Sequence, residues 1–349
     1  MFNNKISSII TIKVFEYILN HCENKDKISL IKTLDHTYHL MNNYSNIHHP
    51  LMIYNPGNDS KLNRTIYDTE NTDIYPGQKI IRIENSPECK DIAANEAYNN
   101  LGKTYCFYKE IFGRNSIDNK GLNLVATIHY SESYANAFWD NNQMVFGDGI
   151  KLYLNRFTSC IDIIAHELTH GVTQYEANLD YAYQSGALNE SISDVFGIMV
   201  KQFANNQKAN ESDWLIGQGI FGSKINIHND PNMAMRSFKH PGTAYPEDEQ
   251  IDHMDKYEDI PFSKDNGGVH KYSGIPNKAF YLLATALGGY SWERAGKIWY
   301  ETLTDNRLSN KANFDDFAKL TCDNAQRLFG KSISDVVIYA WNQVGVLGQ

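Results

Sequence analysis

Cysteine is scarce in this chain: five residues in 349, odd in number and nowhere spaced as C-x-x-C. That excludes a disulfide scaffold, and Cys22, Cys89, Cys106, Cys160 and Cys322 read as reduced structural thiols, which fits folding in a reducing compartment. Cys22 reads as a half-buried thiol, the alternative being a metal ligand offered from the amino-terminal segment. Basic excess is also absent. Lys and Arg number 32 against 41 Asp and Glu, a net charge of −9, which excludes nucleic-acid binding as the main activity. No apolar run approaches a membrane-spanning length. The stretch 7–19 is interrupted by Lys13 and Glu16 and has no small-residue cleavage site after it, so it does not read as a secretory signal. The expectation is a protein made in the cytoplasm, with any release by a non-classical route. Internal repeats and low-complexity arrays are missing as well.

What is present is a soluble globular composition, 42% apolar and 21% charged, long enough for two domains. Residues 1–55 are rich in Asn, His, Lys and Ile, with one short helix expected over 9–19 and too little apolar mass for a core of their own. The turn-rich stretch 55–60 reads as an exposed linker suited to proteolytic nicking. Such a segment is either a disordered tail or a pro-segment docked on the main body. Residues 56–205 read as an α+β lobe. Strands are expected at 80–83 and 124–130, an edge strand and a turn over 136–140 and 143–149, a helix over 95–111, and two more over 159–177 and 187–205. Residues 206–349 read as a mainly helical lobe with helices over 276–287, 291–303, 314–328 and 334–344. Cap signals stand at Ser159 with Asp162, Asn313 with Asp316, and Ser332 with Asp335.

Chemistry concentrates at His166-Glu167-Leu168-Thr169-His170. On a helix the two histidines share a face one turn apart, and two imidazoles so placed can hold one Zn²⁺ with Glu167 beside its open position. Five residues alone do not separate that reading from an amphipathic helix with two satisfied histidines. A catalytic zinc wants a third protein ligand, and Glu190, on the next predicted helix, can supply it. Asp194, one turn further, can accept the second N–H of a zinc-bound histidine and fix its tautomer. Alone, Glu190 and Asp194 would read as a solvated carboxylate pair; beside the two histidines they read as part of a metal site. A third stretch, Asp265-Asn266-Gly267-Gly268-Val269-His270, puts a histidine at the end of a glycine turn with an acidic neighbour to orient it.

In this order, with Asn136-Ala137-Phe138-Trp139 ahead of them, these motifs resemble the thermolysin family of zinc proteases, over about residues 66–346. The similarity is greatest to the protealysin-like group, which carries a short amino-terminal pro-segment. The resemblance implies an α+β, two-lobe fold with a β-rich amino-terminal lobe, a mainly helical carboxyl-terminal lobe, and the active-site helix and zinc at the junction. It implies a neutral metalloendopeptidase: His166, His170 and Glu190 on one zinc, Asn189 and Asp194 supporting them, and Glu167 as general base and acid. His270 and Tyr181 would stabilise the oxyanion and Asp265 would orient His270. Asn136 and the backbone of Ala137 would take the substrate as an added strand, and Arg236 would bind a substrate carbonyl. Phe157, Ile163, Ile216 and Met235 match positions of the specificity pocket, implying cleavage before bulky apolar residues.

Two departures stand out. Thermolysin holds a double calcium site near the active-site helix. Here Asp162 and Asp213 match two of its ligands, but Lys201, Leu215 and Gln218 stand at the others. A lysine there is incompatible with two Ca²⁺, so Lys201 is expected to pair with Asp162 and replace them. Ile9-Ile10-Thr11-Ile12 stands where protealysin-like pro-segments have a Pro-Pro pair. Two competing readings remain: a zinc exopeptidase, for which no G-x-M-E-N-like amine site is found, and a catalytically dead regulatory member, against which Glu167, the ligands and His270 are all in place.

Overall fold

The computed structural model describes residues 7–43 and 61–348, so the expected linker at 55–60 lies outside the described residues. The chain divides into two compact units. One comprises the described residues up to Val172 together with Gly217–Met235; the other comprises Thr173–Ile216 together with the residues from Arg236 onward.

The first unit holds, in chain order, β1 (Ser7–Ser8), α1 (Ile12–His21), α2 (Asn24–Asn43), β2 (Arg64–Asp68), β3 (Lys79–Ile83), α3 (Ile92–Phe112), β4 (Leu124–Ile128), β5 (Ala137–Trp139), β6 (Met144–Phe146) and α4 (Ile161–Tyr175), whose last turn passes Val172. Its sheet has the order β1-β5-β6-β4-β2-β3. The central β4 is buried at every position and runs parallel to both β2 and β6, as a strand covered on both faces does. Helix α3 starts at Asp91, whose carboxylate accepts the Ala94 N–H, and stops at Gly113 in the left-handed region.

At the amino terminus the expected single helix over 9–19 is corrected to a short strand and two helices. The apolar residues there do form no core of their own, and they are spent elsewhere. Tyr17 sets its ring edge-on to Phe221 at 6.5 Å, and Leu40 joins a cluster with Tyr75, Tyr130, Tyr134, Phe138 and Val145. Burial of that kind overrides weak local helix propensity.

The second unit carries α5 (Tyr183–Ala204), the two-stranded ribbon β7 (Leu215–Ile216) and β8 (Arg236–Ser237), then α6 (Asp265–Tyr272), α7 (Gly274–Leu287), α8 (Ala295–Leu303), α9 (Phe314–Phe329) and α10 (Lys331–Asn342). Trp299 anchors its core, stacked on Trp341 at 5.8 Å and edge-on to Phe280 and Phe317. The Asn313–Asp316 capping box forms as expected. The other two cap signals do not. The Ser159 hydroxyl donates to Arg156 O at 2.6 Å inside a 3-10 turn ahead of α4, and α10 begins at Lys331 without a side-chain cap, Asp335 pairing with Lys331 instead. The fold is α+β, β-rich first and helical after, as the sequence implies.

Candidate active site

Helix α4 presents His166, Glu167 and His170, all buried. The i, i+4 spacing brings the two imidazoles together: their Nε2 atoms stand 3.0 Å apart and the rings meet edge-on. Two nitrogens converging in this way suit one ion with Zn–N bonds of about 2.0–2.1 Å. Ligand atoms of His166, His170 and Glu190 all lie within 4.8 Å of one another, the one such trio among the described residues. Two imidazoles and one carboxylate, all buried, form the donor set of a catalytic zinc site with a position left for water.

Glu190 lies on α5, which is buried along most of its length. Its Oε1 accepts the Tyr181 hydroxyl at 2.5 Å, and its Oε2 lies 3.4 Å from His270 Nε2. Tyr181 and His270 are themselves 3.5 Å apart through Oη and Nε2. The expected oxyanion donors therefore stand together beside the expected ligand. Asp265 holds His270 at two points, Oδ1 at 2.6 Å from Nδ1 and Oδ2 accepting the His270 backbone N–H at 3.0 Å. Burial alone would lower the His270 pKa; the Glu190 and Asp265 carboxylates overcome it and raise it to about 9. The expected loop around His270 is helix α6, interrupted by left-handed backbone at Asn266, Gly267 and Gly268.

One turn beyond Glu190, Asp194 receives three bonds of 2.7–3.0 Å from Arg236 and a fourth, at 2.9 Å, from Asn277 Nδ2. Arg236, expected to meet a substrate carbonyl, is thus anchored on Asp194, with both side chains fully buried. Burial would lower its pKa, but Asp194 prevails and raises it. Asn189 donates to Leu179 O at 3.3 Å and so ties α5 to the loop before Tyr181. Sequence reasoning missed Asn277; its only sign was a polar residue in an otherwise apolar helix start. Phe157, Ile163, Ile216 and Met235, expected to line a specificity pocket, are all buried, with Ile216 opposite Arg236 in the β7–β8 ribbon.

The edge strand β5 is occupied. β1 pairs with it antiparallel, Ser7 opposite Trp139 and Ser8 opposite Phe138, and the Ile9 N–H donates to Ala137 O at 3.2 Å. Asn136 Oδ1 accepts the Ile10 N–H at 3.1 Å, whereas its Nδ2 is a buried donor with no partner.

Lys201 sets its ammonium on both oxygens of Asp213, at 2.9 and 3.1 Å, and on Leu215 O at 3.0 Å. The Asp162 carboxylate accepts the backbone N–H groups of Gly217 and Ile163, each at 3.0 Å.

Comparison with known proteins matches residues 20–174 to the thermolysin metallopeptidase catalytic domain and residues 177–346 to its alpha-helical domain. The chain belongs to the thermolysin family. It is a metalloendopeptidase of the protealysin-like kind. The chain is 44% identical to Protease PrtS of Photorhabdus sp. (strain Az29), with 99% of this chain and 93% of that protein covered. It is 46% identical to the Extracellular metalloprotease of Pectobacterium carotovorum subsp. carotovorum, over 99% and 98%. The solved structure of the precursor of protealysin, a metalloproteinase from Serratia proteamaculans, superposes with a TM-score of 0.86 at 44% identity, covering 98% of this chain and all of that one. These thermolysin-family relatives correct one expectation. A cytoplasmic protein with only a non-classical way out does not fit a chain so similar to one named extracellular. Reduced thiols bear on folding; they do not decide where a protease works.

Proposed function

We propose that this thermolysin-family enzyme is a zinc-dependent neutral endopeptidase that cuts internal peptide bonds of proteins before bulky apolar residues. The buried His166, His170 and Glu190 trio carries the reading. Zinc bound there would supply a Lewis acid that polarises a carbonyl and lowers the pKa of water to about 7. Glu167, next to His166 on the same helix, takes a proton from the attacking water and passes it to the leaving amine. Tyr181 and His270 offer an O–H and an N–H to the oxyanion that develops on the substrate carbonyl, and Asp265, accepting from Nδ1, favours the doubly protonated His270 ring whose Nε2–H is the donor. The β5 edge takes the substrate as a strand; Asn136 Nδ2, buried and unpartnered, supports a role in binding a peptide carbonyl. Arg236, held by Asp194, binds a substrate carbonyl, and Asn189 and Asp194 support the zinc ligands. Phe157, Ile163, Ile216 and Met235 set the apolar preference.

The amino-terminal segment, residues 1–55, is proposed as a pro-segment. Its strand β1 lies where substrate would pair, and its Ile10 N–H occupies the Asn136 Oδ1 acceptor. Cleavage beyond it would release the edge. Lys201 is proposed to replace the double calcium site, since its ammonium already occupies oxygens of Asp213 and Leu215.

Mass spectrometry of casein fragments tests the reading. Internal cuts ahead of Leu, Ile or Phe support it, whereas stepwise trimming from one end would favour an exopeptidase.

A further inference from the structure

Tyr183 opens α5 with a φ of 52° and leaves 48% of its surface exposed. A bulky aromatic residue is costly in the left-handed region. Burial of its own ring does not account for that cost at such exposure. Its contacts do. A Cβ on Gly267 would stand 2.3 Å from Cδ1 and 2.7 Å from Cε1 of the Tyr183 ring. Phe262, itself 44% exposed, lies beside the same ring at 6.3 Å, tilted by 50°.

Gly267 belongs to four successive residues with positive φ, Asp265, Asn266, Gly267 and Gly268. At Gly268 a Cβ would meet the Tyr272 ring at 2.4 Å. The turn therefore passes two aromatic rings at distances only glycine allows. It also begins with the carboxylate that orients His270. Left-handed backbone at Asp265 and Asn266 is intrinsically poor and persists only where its surroundings hold it.

We propose that Tyr183 is a positioning residue. Its ring clamps the turn at Gly267, so that Asp265 stays on His270 Nδ1 and Nε2 stays aimed toward the Tyr181 hydroxyl. Tyr183 thus links the two oxyanion donors through the backbone rather than by touching substrate. The kinetic consequence rests on the endopeptidase reading; the clamp itself rests on the contacts.

The test substitutes Tyr183 in the full-length, zinc-loaded chain. Glycine relieves the backbone strain at φ 52°, so Tyr183→Gly is expected to keep or gain stability. Its kcat should nonetheless fall about tenfold to a hundredfold with KM changed less than about twofold, as for a misaligned transition-state donor. Tyr183→Phe keeps the ring and should retain wild-type kcat. Tyr183→Asn, also tolerated at positive φ, should repeat the loss and decides the matter if the glycine variant does not fold. A second readout needs no activity: the hydrogen-bonded Nδ1–H proton of His270, seen far downfield by NMR and assigned by its disappearance in Asp265→Asn. It should persist in Tyr183→Phe and shift or vanish in Tyr183→Gly. Wild-type kcat and an unshifted proton in Tyr183→Gly would overturn the clamp, as would a Tyr183→Phe variant as slow as Tyr183→Gly. No casein hydrolysis by any form, wild type included and with the amino-terminal segment cleaved, would instead overturn the endopeptidase reading, with the proton resonance still deciding the clamp.

Discussion

Ile9 donates its backbone N–H to the carbonyl of Ala137, so the edge strand that a substrate would extend is already extended by the chain itself. Proline at position 9 removes that donor and cannot continue the ladder. Ile9→Pro is expected to loosen the segment and raise the initial rate of casein hydrolysis of the uncut chain severalfold. Comparing initial rates of freshly purified protein checks this; an unchanged rate with the segment still attached would remove the strand contact from the account.

Asp194 and Arg236 are the most deeply buried ion pair described, and Asn277 adds a further donor. Asp194→Ala leaves a guanidinium uncompensated in the interior, at a cost of about 3–5 kcal/mol. Urea unfolding of the two proteins should show that loss. A decrease under about 1 kcal/mol would mean that water or another carboxylate takes over.

His129 lies between two carboxylates, Nδ1 2.7 Å from Asp148 and Nε2 2.8 Å from Asp91, the residue that also caps α3. The Asp148 hydrogen bond leads in raising its pKa from 6.5 to about 9, against the opposing effect of burial. A raised pKa stabilises the fold fully below the unfolded value and is lost as pH climbs through the folded one. The melting temperature of wild type should therefore exceed that of His129→Gln most at pH 6, and the gap should close between about pH 7 and 10. A gap independent of pH would show that the charged imidazole contributes nothing.

Much of this was legible in the sequence, for identifiable reasons. His166, Glu167 and His170 need only helical periodicity to come together, and α4 supplies it. Glu190 needed one more helix, expected over 187–205, and α5 supplies it. The capping at Ser159 was not legible, because a 3-10 turn took that hydroxyl for Arg156 O. Nor was α2, whose Leu40 packs with Tyr75, Tyr130, Tyr134, Phe138 and Val145 while Ile28 and Ile31 stay exposed. Tyr183 escaped notice because its partner, Gly267, is 84 positions away and has no side chain to signal a contact.

Lys201 on Asp213 and Leu215 O leads to a prediction about calcium. With zinc supplied, a calcium-selective chelator should leave both melting temperature and activity unchanged. Lys201→Ala should destabilise by about 1–2 kcal/mol, because a partly buried carboxylate and a carbonyl lose their shared donor. A melting temperature that falls sharply with chelator would restore a calcium site to this enzyme.

The central claim is that one zinc sits on His166, His170 and Glu190 with Glu167 as the proton carrier. Zinc content and casein hydrolysis, measured together for wild type and Glu167→Ala, test it most directly. The account predicts about one zinc per chain in both proteins and a loss of at least about a hundredfold in kcat for the variant. Equal hydrolysis by the two, or a wild-type protein active without zinc, would contradict it.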